Sequence, residues 1–152
     1  MPRIIIDLDV MLSAFGKKYD ERKAKSMQLI RAVTSGSHEL FTPFTLIDIV
    51  VDWKIKYFKE KILRFYEGYS KELITAKKLD EKLFSLDKDV KNLLNKFRAI
   101  SIKEEDAVLV IIASVFNLEL KTFNQKHLLK KKTEINEILK EENLTEIYIS
   151  EP

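Results

Sequence analysis

The stretch Arg3-Ile4-Ile5-Ile6-Asp7-Leu8-Asp9 near the start of the chain decides the fold. Three β-branched residues in a row are typical of a parallel strand that is buried on both faces. The run ends at a carboxylate, Asp7, and in open α/β sheets the ligand crevice lies beyond the carboxyl ends of the strands. We therefore expect Asp7 to point into such a crevice, where other acids that follow parallel strands would join it.

The composition predicts a single globular domain, residues 1–152. The chain is 45% hydrophobic and 34% charged, with a net charge of +3. No apolar run approaches the ~20 residues of a membrane span and no signal-peptide pattern precedes the first strand, so we expect a cytoplasmic protein without membrane contact. The sequence has no cysteine and two histidines, which excludes disulfides and thiolate metal sites. A metal would therefore be a hard cation bound by oxygen.

Predicted strands alternate with predicted helices. After the first strand, we expect strands at 39–42, 98–100, 119–123 and 146–149, and helices at 10–15, 20–34, 102–116 and 125–142. The segment 108–112 has strand propensity, but the capping-box spacing of Ser101 and Glu104 favours a helix there. The alternation predicts a three-layer α/β/α sandwich with a mainly parallel sheet of about five strands.

A different periodicity occupies residues 51–97. Apolar residues recur there at intervals of four and three, first at Val51, Ile55, Phe58, Ile62, Phe65 and Tyr69, then at Leu79, Leu83, Leu86, Val90, Leu93 and Phe97. This spacing predicts a helical hairpin inserted into the domain, with Asp80 as the N-cap of its second helix. The apolar faces would pack on each other, on the sheet, or against a second copy in a homodimer.

Four polar residues are expected at the carboxyl edge of the sheet. They are Asp7, Asp48, Asp106 and Asn124, each just beyond a predicted strand or on the helix that follows one. Taken singly, each acid is most simply a turn or cap residue, or a charge that complements a helix dipole. Taken together, carboxylates at one edge repel each other unless they are protonated or bridged by a cation. Oxygen ligands suit Mg²⁺ or Mn²⁺.

Four short segments, taken in chain order, resemble the motifs of PIN-domain nucleases, and most of all those of VapC-type toxins from toxin–antitoxin modules. The segments are 4–12, 45–48, 105–113 and 121–128. The resemblance implies a PIN-like fold and a Mg²⁺- or Mn²⁺-dependent endoribonuclease that hydrolyses RNA phosphodiesters. It also implies a cognate antitoxin protein as a partner.

The resemblance assigns roles to individual residues. It implies a catalytic set of Asp7, Asp48, Asp106 and Asn124, in which the three acids hold the metal. Asp9 and Thr122 would be accessory, with Thr122 supporting the site by hydrogen bonding. Asp48 stands where the family usually has Glu, and Asn124 where Asp or Asn is found. These two departures lower the negative charge available to a second cation, so we expect one well-bound metal and a second that is weaker or depends on substrate.

Two basic stretches are candidates for contact with the RNA backbone. Lys126, Lys130, Lys131 and Lys132 directly follow the fourth site residue and form the stronger candidate. Lys54, Lys56, Lys59, Lys61 and Arg64 lie on the predicted long helix, interleaved with Trp53, Tyr57 and Phe58. Aromatic stacking on bases would suit this second stretch, and so would a solvated helix face or a groove for an apolar partner helix.

Two other functions compete with the nuclease. Asp7 and Asp9 after an apolar strand also resemble the first motif of haloacid-dehalogenase-like phosphatases, with Asp7 as nucleophile and Asp9 as general acid. That family has Gly-Thr after the pair, where this chain has Val10-Met11. The third possibility is a PIN-like module that binds RNA or protein and has weak or no catalytic activity.

Overall fold

A computed structural model of the chain describes residues 1–54 and 56–152, with Tyr57 described by its backbone alone. The predicted place of Ile55 in the apolar periodicity, and of the Tyr57 side chain in the basic stretch, lie outside the described residues. Five strands form one all-parallel sheet in the order β3-β2-β1-β4-β5. They are β1 (Arg3–Ile6), β2 (Glu39–Pro43), β3 (Ser70–Ile74), β4 (Glu119–Lys121) and β5 (Ile149–Ser150).

Helices cover both faces of this sheet. In the described residues they are α1 (Leu8–Phe15), α2 (Glu21–Thr34), α3 (Phe44–Val51), α4 (Lys56–Tyr69), α5 (Ala76–Ser85), α6 (Val90–Ala99), α7 (Glu104–Val115) and α8 (Lys132–Glu141). Right-handed crossovers place α1, α2 and α4 on one face and α5 to α8 on the other. The observed packing agrees, since α1 contacts α2 and α4 while α7 contacts α5 and α6. The predicted α/β/α sandwich is confirmed.

The centre of the molecule is β1 with α7 packed over the sheet. Ile4, Ile5 and Ile6 are fully buried, as expected for a central parallel strand. Every residue of α7 from 107 to 115 is buried as well, which explains why 108–112 has strand-like composition although it is helical. A helix that is apolar on all sides is one that other elements surround. No helix of the described residues has the length and apolar character to cross a membrane.

The prediction of a helical hairpin over residues 51–97 is wrong in its middle. The helix α4 ends at Tyr69, and β3 follows immediately and pairs in parallel with β2. β3 is an edge strand with a largely polar sequence, Ser-Lys-Glu-Leu-Ile, so it lacks the apolar run that marks buried strands. The next helix, α5, is capped by Thr75, whose hydroxyl accepts from the Lys78 N–H at 3.2 Å, and not by Asp80.

The predicted strand at 98–100 is also wrong, because α6 continues to Ala99 and ends at Ile100. Ser101 then adopts a left-handed conformation with φ of 64°, so it ends α6 and does not cap α7. The helix α7 begins at Glu104, after Lys103, without a side-chain cap. Turns and a 3₁₀ helix (Leu129–Lys131) occupy the first part of the predicted helix at 125–142.

Candidate functional site

The chain reverses its direction of travel across the sheet between β1 and β4, and this is where open α/β sheets bind ligands. A cavity of about 210 Å³ lies at the carboxyl ends of these strands. Its polar lining consists of Asp7, Asp9, Thr45, Glu105, Asp106 and Asn124. We call it the acidic cavity. The structure thus brings together three of the four predicted catalytic residues, together with the predicted accessory residue Asp9.

Asp7 is held at both carboxylate oxygens. It caps α1, with Oδ1 accepting from the Leu8 N–H at 2.8 Å, and its Oδ2 accepts from the Thr122 hydroxyl at 2.8 Å. The Asp7 backbone N–H donates to the Lys121 carbonyl at 2.9 Å, which extends the pairing of β1 with β4. The sheet therefore fixes the position of this carboxylate, and only 9% of the residue is exposed.

Asp9 lies in the first turn of α1 and is tied to the end of β4. Its Oδ2 and Oδ1 accept from the Phe123 N–H at 3.1 Å and 3.3 Å. The Thr122 hydroxyl, which bonds Asp7, is also 3.4 Å from Asp9 Oδ2. Thr122 therefore lies between the two acids, which is the supporting position expected for it.

Asn124 connects the end of β4 to α7. Its side-chain Nδ2 donates to Asp106 Oδ2 at 3.3 Å, and its Oδ1 accepts from the His127 N–H at 3.1 Å. Its backbone N–H donates to the Thr122 hydroxyl at 3.0 Å. These bonds orient the amide and place it beside Asp106, which lies in the first turn of α7.

Burial makes negative charge costly at all three acids. Burial, with a smaller contribution from the nearby charge of Asp9, raises the pKa of Asp7 to about 7, against the hydrogen bonds from Thr122 and Leu8. Burial also raises the pKa of Asp9 and that of Asp106. Acids with raised pKa in one cavity are typical of functional sites, because a bound cation or a reaction offsets the cost of their charge.

The acidic cavity supplies oxygen donors suited to a hard cation, but not a complete cage. In the described residues, no three His, Asp or Glu side chains are placed to hold one metal ion together. Mg²⁺ is commonly bound through one or two carboxylates, with waters and substrate phosphate filling its other positions. Asp7 and Asp106, with Asp9 beside them, fit that mode of binding.

Asp48 does not line the acidic cavity. The α3 wall, which consists of Thr45, Leu46 and Ile49, faces the cavity, whereas Asp48 is exposed to solvent. At about 100° per residue, Asp48 lies about 100° around the helix axis from Ile49 and about 60° from Thr45, so it lies beside the face of α3 that lines the cavity and not on it. The predicted metal-binding role of Asp48 therefore has no support from its position.

Sequence reasoning missed three residues at the site. Glu105 and Thr45 line the acidic cavity, and the Thr45 hydroxyl is buried without a hydrogen-bond partner in the described residues. Tyr66 is fully buried in α4, and its hydroxyl donates to the Ile6 carbonyl at 2.7 Å. Only Glu105 carried a sequence signal, as the neighbour of Asp106.

Tyr66 fills a gap in the sheet next to Asp7. Since the Asp7 N–H points to β4, the Ile6 carbonyl points the other way, towards β2. The pairing of β1 with β2 covers Arg3 and Ile4 and stops there. The tyrosine hydroxyl takes the place of the missing strand partner. Its pKa is well above its usual range because of burial and because of the charges of Asp7 and Asp9.

The lysines that follow Asn124 divide into two groups. Lys126, Lys130 and Lys132 are exposed, as contact with RNA would require. Lys131 is partly buried, and its Nζ donates to the Ile100 carbonyl at the end of α6. In the other basic stretch, Lys59 donates to the Val51 carbonyl at 2.6 Å. Lys131 and Lys59 therefore have contacts within the fold.

No protein-family model matches this chain, and no curated protein matches it. Function is therefore inferred from the geometry of the acidic cavity. The resemblance carried by the four sequence motifs is a second and separate source of support.

Proposed function

We propose that this protein is a metal-dependent endoribonuclease that hydrolyses RNA phosphodiesters. The observation that carries the proposal is the convergence of Asp7, Asp9 and Asp106 with Asn124 in one cavity at the switch point of the sheet. Burial makes their negative charge unfavourable, and a cation bound there would relieve that cost. The resemblance of the sequence motifs to PIN-domain nucleases supports the same reaction.

Each residue has a specific task in this proposal. Asp7 and Asp106 hold Mg²⁺ or Mn²⁺, and Asn124, oriented by His127, positions a water beside them. The metal would supply a Lewis acid for the phosphoryl oxygens and would lower the pKa of the attacking water. Thr122 keeps the Asp7 carboxylate in place, and Asp9 adds negative charge on the side of α1.

The proposed substrate and biological role depend on exposed lysines and on the resemblance of the sequence motifs. Lys126, Lys130 and Lys132 are exposed beyond Asn124 and would neutralise RNA phosphates. On the resemblance to VapC-type toxins, we propose that the protein is a cytoplasmic toxin with a cognate antitoxin, and that it forms a homodimer. A neighbouring gene for a small DNA-binding protein would support the toxin assignment, and size-exclusion chromatography with light scattering tests the dimer.

The decisive experiment compares RNA cleavage by the native protein and by Asp7→Asn. Structured and single-stranded RNAs are incubated with Mn²⁺, with Mg²⁺ or with EDTA. We expect metal-dependent cleavage that falls by roughly a hundredfold or more in Asp7→Asn, because the variant loses a charged metal ligand. The matched control is Asp87→Asn, an exposed acid between α5 and α6 that should leave the rate unchanged.

The same experiment separates the two alternatives. RNA that is bound equally by the native protein and by Asp7→Asn, without turnover, indicates a binding module. Intact RNA together with phosphate released from a phosphomonoester indicates a phosphatase. The geometry does not favour the phosphatase, because both Asp7 oxygens already accept hydrogen bonds and the residue is buried, which is a poor setting for a nucleophile. Unchanged metal binding and cleavage in Asp106→Ala would remove Asp106 from the site.

A further inference from the structure

Arg22, in the first turn of α2, lies beside the acidic cavity. Its guanidinium carbon is 4.9 Å from the centre of the Phe123 ring, in a cation–π contact. The ring is buried, and the Phe123 N–H donates to the Asp9 carboxylate, so the surface that carries the guanidinium is fixed relative to the cavity.

The Arg22 guanidinium has no ion-pair partner in the part of the chain that the structure describes. The neighbouring cations of α2 have contacts: Lys23 donates to the Gly16 carbonyl, and Lys25 pairs with Glu151 at 3.5 Å. A guanidinium that stacks by its face keeps its N–H groups at the edge, where they match a phosphate. Helix stability does not explain the position, since a cation in a first turn faces the positive end of the helix dipole.

A second cation lies on the Asp106 side of the cavity. Lys103 directly precedes α7, and Asp106 lies in the first turn of that helix. The acids of the cavity therefore have Arg22 near Asp9 and Lys103 near Asp106. A nucleic acid backbone that crosses the cavity would place one phosphate at the carboxylates and its neighbours at the flanking cations.

We propose that Arg22, held by stacking on Phe123, binds the RNA phosphate next to the one that is cleaved. This inference depends on the proposed nuclease function, since it assigns a contact for the substrate of that reaction. Arg22 acts here as a substrate-binding residue, separate from the acids that would hold the metal. Its alternative role, as a charge partner of Asp9 alone, would affect the acid and not the binding of RNA.

The test measures binding of a single-stranded oligoribonucleotide at a series of salt concentrations. Binding is measured in the Asp7→Asn background, so that the RNA stays intact, with and without the further change Arg22→Gln. We expect Arg22→Gln to weaken binding by roughly threefold to tenfold and to reduce the steepness of the log–log salt dependence by about 0.7, the value for one lost phosphate contact. Arg22→Lys should keep the slope but bind less tightly, because lysine does not present a planar fork.

The matched control is Arg31→Gln, which removes the same charge from the last turn of the same helix and should leave the slope unchanged. In the active protein, Arg22→Gln should raise KM for RNA with little change in kcat. An unchanged salt slope in Arg22→Gln, or a slope lowered equally by Arg31→Gln, would overturn the inference even if RNA is cleaved. The expected change in slope without any metal-dependent cleavage would support the phosphate contact and reject the nuclease.

Discussion

The two sides of the acidic cavity are built differently. On the side of the sheet, Asp7 and Asp9 are fixed by hydrogen bonds from Leu8, Thr122 and Phe123. On the opposite side, the α3 wall offers a hydroxyl and two aliphatic side chains, and the nearby acid Asp48 is exposed. The negative charge of the site is therefore concentrated at the end of β1, in the first turn of α1 and in the first turn of α7.

This difference shows how secondary structure controls the placement of an acid. A residue that directly follows a central parallel strand is carried to the ligand edge by the strand itself. A residue on a helix reaches a site only if its angle around the axis is right, and a step of one residue changes that angle by about 100°. Asp7 satisfies the first condition, whereas Asp48 lies beside the cavity-lining face of α3 and is exposed.

The largest difference between the two sides should appear when Asp7 is neutralised. The pKa of Asp7 is about 7 in the folded protein and 3.8 is its ordinary value, so the folded state holds this proton more tightly than the unfolded state does. The stability contributed by this group is therefore complete below pH 4 and is lost as the pH rises towards 7. We expect Asp7→Asn to be more stable than the native protein at pH 8 by up to about 4 kcal/mol, and about equally stable at pH 4.

Urea unfolding at several pH values in the presence of EDTA measures this effect. The exposed acid Asp87 supplies the control, since Asp87→Asn should change stability little at either pH. Equal stability of Asp7→Asn and the native protein across the range would mean that the Asp7 carboxylate is not destabilised by burial. A gain in stability together with the loss of cleavage would be evidence that the site trades stability for function.

A smaller effect is expected at Tyr66, whose hydroxyl donates to the Ile6 carbonyl directly before Asp7. Tyr66→Phe removes only the hydroxyl and leaves the buried Ile6 carbonyl without its partner. We expect a loss of about 1–3 kcal/mol in the free energy of unfolding, measured by urea titration. Tyr69→Phe, on the same helix but half exposed, is the matched control and should have little effect. If both variants lose equal stability, the bond to Ile6 does not support the strand end.

The smallest effect is expected at Asp48. Because its side chain is exposed and does not line the acidic cavity, Asp48→Asn should change stability by no more than about 0.5 kcal/mol. The rate of RNA cleavage and the affinity for Mn²⁺ should also stay close to those of the native protein. A large loss of either would mean that α3 rotates when metal and substrate bind, and the contrast between the two sides of the cavity would then hold only for the free protein.

The central half of the fold could be predicted from sequence because its signals are local. Three consecutive isoleucines mark β1, and the helix expected over 20–34 corresponds to α2, where the Asp20 side chain caps the first turn by accepting from the Lys23 N–H. The edge strand β3 could not be found, because a strand with one neighbour needs no apolar run and lies between two strongly amphipathic helices. The strand expected at 98–100 has only three residues, and in the structure they form the end of α6.

The candidate site, like the fold, contains residues whose position the sequence predicts and residues whose position it does not. Asp7, Asp106 and Asn124 were predicted to converge because they follow strands or begin a helix, and they do line one cavity. Tyr66 could not be predicted, because its role depends on a carbonyl sixty residues away in sequence. The angle of Asp48 around α3 depends on tertiary packing, which the resemblance of a short motif does not specify.

Thr122 makes the two neighbouring acids chemically unequal. A hydroxyl has one proton to give and two lone pairs, and here the proton goes to Asp7 while a lone pair accepts from the Asn124 N–H. At 3.4 Å, Asp9 receives at most a small share of that proton, so it keeps more of its capacity to accept from water or from a ligand. One side chain thus breaks the symmetry of an acid pair and connects the ends of two strands. Serine in place of Thr122 would keep the hydroxyl and both of its hydrogen bonds, whereas valine would remove both.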